Sequence, residues 1–267
     1  MTPMLKLSMI HKSFNQGTVD ERVALNNIQL QLAEGDFVTV IGSNGAGKST
    51  LMNIISGVLQ PDEGTIEIDG RVTNRMPEYD RGRLIGRVFQ DPMAGTSPAM
   101  TIEENMAIAY GRDKQRTVRI GVNRKRREMF KETLETLHLG LENRLSAKVG
   151  LLSGGERQAL SLVMATFTKP KVLLLDEHTA ALDPSREQII TKLTKEIVER
   201  DKLTTLMITH NMQQALDLGN RLIMMDSGTI ILDVPQEKKQ NLTIQGLINE
   251  FSRIRGANFV SDRTVLA

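Results

Sequence analysis

The sequence predicts an α/β protein with a doubly wound core, and three observations predict it. Apolar, β-branched runs alternate with amphipathic helical stretches along most of the chain. One such run, Phe37 to Ile41, ends in a glycine-rich loop that opens directly into a helix. Between Asp91 and Gly150 strand signals give way to helical ones, the pattern of a helical insertion into a mainly parallel sheet.

The elements follow in order. Leu5 to Phe14 and Ala24 to Leu32 read as early strands, and Phe37 to Ile41 as a third. Lys48 to Ser56 reads as a helix stopped by Gly57. Thr65 to Ile68 alternates apolar and polar between Gly64 and Asp69-Gly70, a hairpin strand, and Leu84 to Phe89 is another strand. Thr101-Ile102-Glu103-Glu104 is a capping box opening a helix through Ala109. Further helices are expected over Lys125 to Leu139 and Ser153 to Thr168. Val172 to Leu175 is apolar enough for a buried central strand. Pro184 to Arg200 is amphipathic, with Ile189, Ile190, Leu193, Ile197 and Val198 on one stripe. Leu206 to Thr209 and Leu222 to Met225 are strands, and Asp226-Ser227-Gly228 turns the latter back into Thr229 to Val234. The tail holds one expected helix, Thr243 to Ile254.

Composition narrows the function classes. A chain of 267 residues, 40% hydrophobic, can bury one sizeable core. A formal charge of +2 gives no global nucleic-acid footprint. Aromatics are 3% with no Trp, which argues against base-stacking platforms. The absence of cysteine excludes disulfides and thiolate metal sites. Met1 to Met9 is too short and mixed for a signal peptide. No apolar run approaches the roughly 18 residues of a membrane span, so any membrane path is expected on another chain.

Three motifs carry chemistry. The first is Gly42-Ser43-Asn44-Gly45-Ala46-Gly47-Lys48-Ser49, followed by Thr50. Its glycines let backbone N–H groups wrap phosphates, and the helix that follows adds the positive end of its dipole. Lys48 is expected to reach the β- and γ-phosphates and the Ser49 hydroxyl to ligate Mg²⁺. The second is the apolar strand Val172 to Leu175 delivering Asp176 and Glu177 at the ligand edge of the sheet. Asp176 is expected to hold Mg²⁺ through water, and Glu177 to polarise the attacking water. The third is Leu152-Ser153-Gly154-Gly155-Glu156, a hydroxyl and two glycines at a helix start, which reads as a second anion site.

A phosphate loop alone indicates only a nucleotide. With the pentapeptide about a hundred residues after it, the chain resembles the ATP-binding subunit of ABC transporters, whose signature that pentapeptide is. The resemblance covers roughly residues 4 to 234. It implies a P-loop NTPase (RecA-like) core with an antiparallel β subdomain and an inserted α-helical subdomain. The helical part falls at about 91–158 within an ATP-binding domain over 1–234, and a tail follows over 235–267. It further implies that Gln90 touches Mg²⁺ and water and links to the membrane subunit. By the same resemblance Asp183 is expected on a loop crossing between subunits, His210 at the γ-phosphate, and Phe14 stacked on adenine. The expected catalytic set is Lys48, Glu177 and His210. ATP is expected to be held by Phe14, residues 42–50, Gln90, Ser153, Gly155 and Asp183, and Mg²⁺ by Ser49, Gln90 and Asp176.

In that family two copies face head to tail, each signature capping the other's γ-phosphate, and such a dimer is isologous and closed. Expected partners are a second copy, integral-membrane permease subunits and an extracytoplasmic substrate-binding protein, with no nucleic acid. The expected place is the cytoplasmic face of the inner membrane. The wording of Asp91 to Thr96, Leu152 to Leu162 and Asp176 to Thr179 looks like an importer subgroup associated with tryptophan or tyrosine. The alternatives are an exporter or lipid-handling ATPase and, less favoured, a soluble ABC protein of translation or repair.

Two features depart from the pattern. His178 follows Glu177 where the family usually has proline; it either tunes the neighbouring acid or is a packing variant. Residues 111–131 carry nine Lys or Arg (112, 114, 116, 119, 124, 125, 126, 127 and 131) against Asp113 and Glu128. That run suits anionic lipid, a solvated helix face or, more weakly, nucleic acid.

Overall fold

The computed structural model describes residues 2–114 and 121–255. The chain divides into two compact units, Met1–Arg81 with Lys202–Ala267, and Gly82–Asp201.

The first unit contains two sheets. Strands β1 (Leu5–Phe14), β2 (Arg22–Leu32), β4 (Glu63–Ile68) and β5 (Arg71–Val72) form an antiparallel sheet in the order β2-β1-β4-β5. Strands β3 (Phe37–Gly42), β8 (Thr204–Ile208), β9 (Arg221–Asp226) and β10 (Thr229–Val234) run in the order β10-β9-β3-β8. β3 pairs in parallel with both neighbours, Val40 opposite Ile208 on one side and Ile223 on the other. Only β10 returns antiparallel on β9. Every residue of β3 is buried, as expected of a strand covered on both faces. Between β3 and β4 lies α1 (Lys48–Ser56), closed by Gly57 in the left-handed region at φ 89 as its sequence predicts. Two short helices, α2 (Glu78–Arg81) and α7 (Met212–Asp217), lie between the strands.

The second unit holds β6 (Ile85–Val88) and β7 (Val172–Asp176), paired in parallel with Val88 opposite Leu175. Its helices are α3 (Ile102–Tyr110), α4 (Arg124–Glu135), α5 (Gly154–Thr166) and α6 (Pro184–Asp201). The capping box at Thr101 and Glu104 is present in full. Phe130, Tyr110 and Phe167 meet edge to face with ring centroids about 6 Å apart, joining α3, α4 and the end of α5.

The structure corrects several boundaries. The helix expected through Leu139 ends at Glu135, and His138 has entered the left-handed region at φ 54. Ser153 is the cap of α5 rather than part of it, and α5 closes at Thr166. Ile189 lies 44% exposed, because the buried stripe of α6 is Ile190, Leu193, Thr194, Ile197 and Val198, and Ile189 is one position off it. Arg116 and Arg119 of the basic run lie outside the described residues. In the rest of the run, Arg127 makes a bidentate pair with Glu103 at 2.6 and 2.7 Å, while Arg126 donates to Gly121 O and covers the Tyr110 ring.

After β10 the chain continues as α8 (Gln236–Lys239) and α9 (Ile244–Arg255). α8 was not legible: four polar residues have no period. α9 puts Leu247 and Phe251 into a cluster with Ile41, Met212, Ala215, Leu222, Met224 and Val234.

Arg81 is the largest fully buried side chain of the first unit, and sequence reading gives no hint of it. Its guanidinium donates to Ile54 O (2.8 Å), Ile55 O (3.2 Å) and Thr73 O, closing the carbonyl end of α1. Arg81→Ala should therefore leave buried carbonyls unpaired and lower stability by about 3 kcal/mol in denaturant titrations.

Candidate nucleotide site

The residues singled out in the sequence fall into two groups, one in each unit. The first unit carries Phe14, the loop 42–50 and His210.

The loop is built where side chains do not fit. Gly42 has φ 152, and a Cβ there would stand 2.2 Å from Met225 O. Gly47 has φ 97, and a Cβ would stand 2.4 Å from Ala24 O. Gly47 is also the cap of α1, with no side-chain hydrogen bond to its first turn and no acidic residue in that turn. Most helices place an acid or a capping oxygen there. This one leaves its positive end to a ligand, which is the chemistry of an anion site. Lys48 is buried, and its ammonium donates to Gly42 O at 2.7 Å and Ser43 O at 3.0 Å, folding over the loop. The cradle thus fits a polyphosphate.

The β9–β10 turn braces the loop from behind. Ser43 Oγ lies 3.2 Å from Asp226 Oδ1, and Gly228 N donates to Ala46 O at 3.1 Å. In the sequence Asp226-Ser227-Gly228 marks a turn, and nothing local marks Asp226 as a supporting acid. Phe14, at the end of β1, keeps 37% of its surface exposed, with the Lys12 ammonium 5.8 Å from its ring centre. His210 follows β8 and is half-buried.

The second unit carries Gln90, Ser153, Gly155, Asp176, Glu177 and Asp183. Asp176 ends β7 and pairs with Arg87 of β6 at 2.9 Å, both side chains little exposed. Arg87 also lies over the Phe89 ring, 4.7 Å from its centre. No sequence motif announced this arginine. Among the described residues no group of three or more His, Cys, Asp or Glu could hold a metal. Within the second unit, the Asp176 carboxylate and the Gln90 amide are the hard oxygen donors that suit a cation such as Mg²⁺.

Glu177 is in the left-handed region at φ 47, an uncommon place for a glutamate. Its neighbour His178 is buried, and Nε2 lies 2.8 Å from Thr194 Oγ1 on α6. Thr194 gives its only proton to Ile190 O at 2.8 Å, so Nε2 of His178 must be the donor. Nδ1 is then a bare acceptor, with no partner among the described residues. Of the two readings of His178, the geometry favours a neutral ring packed against α6. Burial pushes its pKa down from 6.5 to about 4.

Ser153 caps α5 in a full capping box: its hydroxyl accepts from Glu156 N at 3.3 Å, and Ser153 N donates to Glu156 at 2.7 Å. The Ser153 hydroxyl also hydrogen-bonds to the Glu156 carboxylate, so the box is closed in both directions. Gly155 is buried against the Arg186 side chain. Asp183 caps α6, accepting from Arg186 N at 3.1 Å. Gln90 is exposed, just past β6. The residue before it, Phe89, accepts through its carbonyl from buried Gln158 Nε2 at 3.2 Å, which ties the Gln90 segment to α5. Sequence reading placed Gln158 only within the signature wording.

Comparison with known proteins accords with this geometry. A family profile described as ABC transporter matches residues 25–180. A tyrosine transport ATP-binding protein of Clostridioides difficile (strain R20291) is 42% identical over 248 residues, covering 93% of this chain and 98% of that protein. The spermidine/putrescine import ATP-binding protein PotA of Lawsonia intracellularis (strain PHE/MN1-00) is 33% identical, over 95% of this chain and 65% of that protein. A solved dimeric structure of the ATP-binding cassette MJ0796, in a post-hydrolysis state with ADP and Pi, superposes with a TM-score of 0.75. It is 30% identical and covers 87% of this chain and 99% of that one.

Two outcomes follow. Gly47→Ala forces a Cβ onto the Ala24 carbonyl and should weaken ATP binding at least tenfold, read by nucleotide titration. For His178, the unfolded chain protonates near pH 6.5 and the folded one near 4. Its contribution is full above about pH 6.5 and is lost as pH falls toward 4, by up to about 3 kcal/mol. Denaturant titrations of nucleotide-free His178→Gln at pH 7 and pH 4.5 should show that part of the acid loss removed.

Proposed function

The chain belongs to the ABC transporter family and is an ATP-binding, ATP-hydrolysing subunit of a multi-subunit transporter, and we propose that it drives import of an aromatic amino acid into a bacterial cell. The substrate class is supported by the 42% identity to the tyrosine transport ATP-binding protein, which extends along nearly the whole of both chains. The observation that carries the ATPase reading is the start of α1. A left-handed glycine without a side-chain cap, no acid in the first turn and a buried lysine together favour a bound polyphosphate.

In this reading residues 1–234 form the ATP-binding domain, with the helical part at about 91–158 and a tail over 235–267. Phe14 stacks on the adenine. Residues 42–50 wrap the phosphates, and Lys48 reaches the β- and γ-phosphoryl oxygens. Ser49, Gln90 and Asp176 hold Mg²⁺, which neutralises phosphate charge when bound. Glu177 orients and polarises the attacking water, and His210 touches the γ-phosphate. Ser153 and Gly155 of a second copy cap that phosphate from the other side, with Asp183 on the crossing loop. ATP closes this head-to-tail pair and hydrolysis reopens it.

Permease subunits provide the membrane path and meet the chain through the Gln90 segment; an extracytoplasmic binding protein delivers the solute. The chain sits on the cytoplasmic face of the inner membrane, on the strength of its family. No described helix is long and apolar enough to cross a membrane.

The Glu177→Gln variant should still bind ATP and dimerise, with turnover lower by roughly 10²–10⁴. Phosphate release and sedimentation with ATP measure both. Near-normal hydrolysis would remove Glu177 from this role.

A further inference from the structure

The segment beyond β10 is fastened to the first unit by a buried cation. Lys239, the last residue of α8, is 4% exposed. Its ammonium has three protons and meets three oxygens: Leu218 O, Gly219 O at 3.2 Å and Thr39 Oγ1 at 3.5 Å. Thr39 in turn donates to Ala215 O at 2.8 Å. Ala215 lies in α7, and Leu218 and Gly219 follow it directly. The lysine and the threonine thus satisfy the carbonyl end of α7, where intrahelical partners run out.

α7 has six residues, too few to persist without outside support. Its other end is held by Asn211, which accepts from Gln214 N at 3.0 Å, and by Thr209, whose hydroxyl reaches Gln214 Oε1 at 2.6 Å. His210 stands between those two residues. On the apolar side, Leu247 and Phe251 of α9 share a cluster with Met212 and Ala215 of α7. Thr39 is on β3, which runs into the phosphate loop three residues later. The root of that loop and the seat of His210 therefore meet at one lysine from the tail. Burial costs this cation, and pushes its pKa down from 10.5 to about 8. A leucine would fill the space without that cost, but it would leave the carbonyls unpaired.

We propose that Lys239 is a positioning residue, through which the C-terminal segment sets the seat of α7 and so of His210. The inference rests on the reading of His210 as the γ-phosphate contact, and the two fail separately. The test uses full-length Lys239→Gln and Lys239→Arg, with ring C–H resonances of the chain's four histidines and steady-state ATPase kinetics. Lys239→Gln should move the His210 resonances and leave those of His11 and His138 in place. It should lower kcat about tenfold with KM for ATP within about twofold, and Lys239→Arg should recover most of the loss. A folded Lys239→Gln with unmoved His210 resonances overturns the proposal, even if its Tm falls. Should Lys239→Gln not fold, Phe251→Leu, which trims the α9 contact with the α7 cluster, is read by the same resonances. His210→Ala with undiminished turnover would instead sink the catalytic reading of His210 and leave the positioning result standing.

Discussion

The rest of the first unit depends on a stretch of backbone with no room for side chains. From Gly42 to Gly47 the chain passes within contact of Met225 O on one strand and Ala24 O on another. That crowding requires glycine at both ends and lets the peptide N–H groups converge. It also requires β2, β9 and the turn at Gly228 to stand in register behind the loop, which the Ser43–Asp226 and Gly228–Ala46 bonds enforce. A buried Lys48 is tolerable there because loop carbonyls meet its protons. The anion site is a consequence of how closely two strands approach one loop.

The second unit begins its helix with different parts. Where α1 opens without a side-chain cap, α5 opens on a completed capping box. The first leaves bare backbone at its start, and the second closes on itself through Ser153 and Glu156. Asp176 and Glu177 are likewise differently placed: one is held by Arg87, the other stands on a left-handed backbone next in sequence to a buried histidine. Adjacent carboxylates in such unlike settings suit unlike tasks.

What could be read from the sequence was local. The phosphate loop, the strand ending in two acids, the signature and the Thr101 box each occupy a few consecutive residues whose chemistry depends on their own spacing. What could not be read was polar and long-range. Arg81, Lys239, Arg87 and Gln158 look like surface residues, since nothing near them in sequence marks their acceptors; the carbonyls they serve lie 20 to 70 residues away in most cases. His178 was visible as an oddity, but its tautomer follows only from Thr194 sixteen residues on. Ile189 shows the complementary error, where counting apolar residues on a helix overshoots the stripe that is buried.

One feature of the topology bears on how the protein is made. β3 carries the phosphate loop, yet both of its parallel neighbours, β8 and β9, come from beyond residue 203. The whole second unit is synthesised between them. At about 5–20 residues per second, the loop leaves the ribosome roughly ten seconds or more before its flanking strands exist. The strand that defines the nucleotide site is among the first made and can be among the last built in, its apolar face open meanwhile to chaperones or to misplaced pairing.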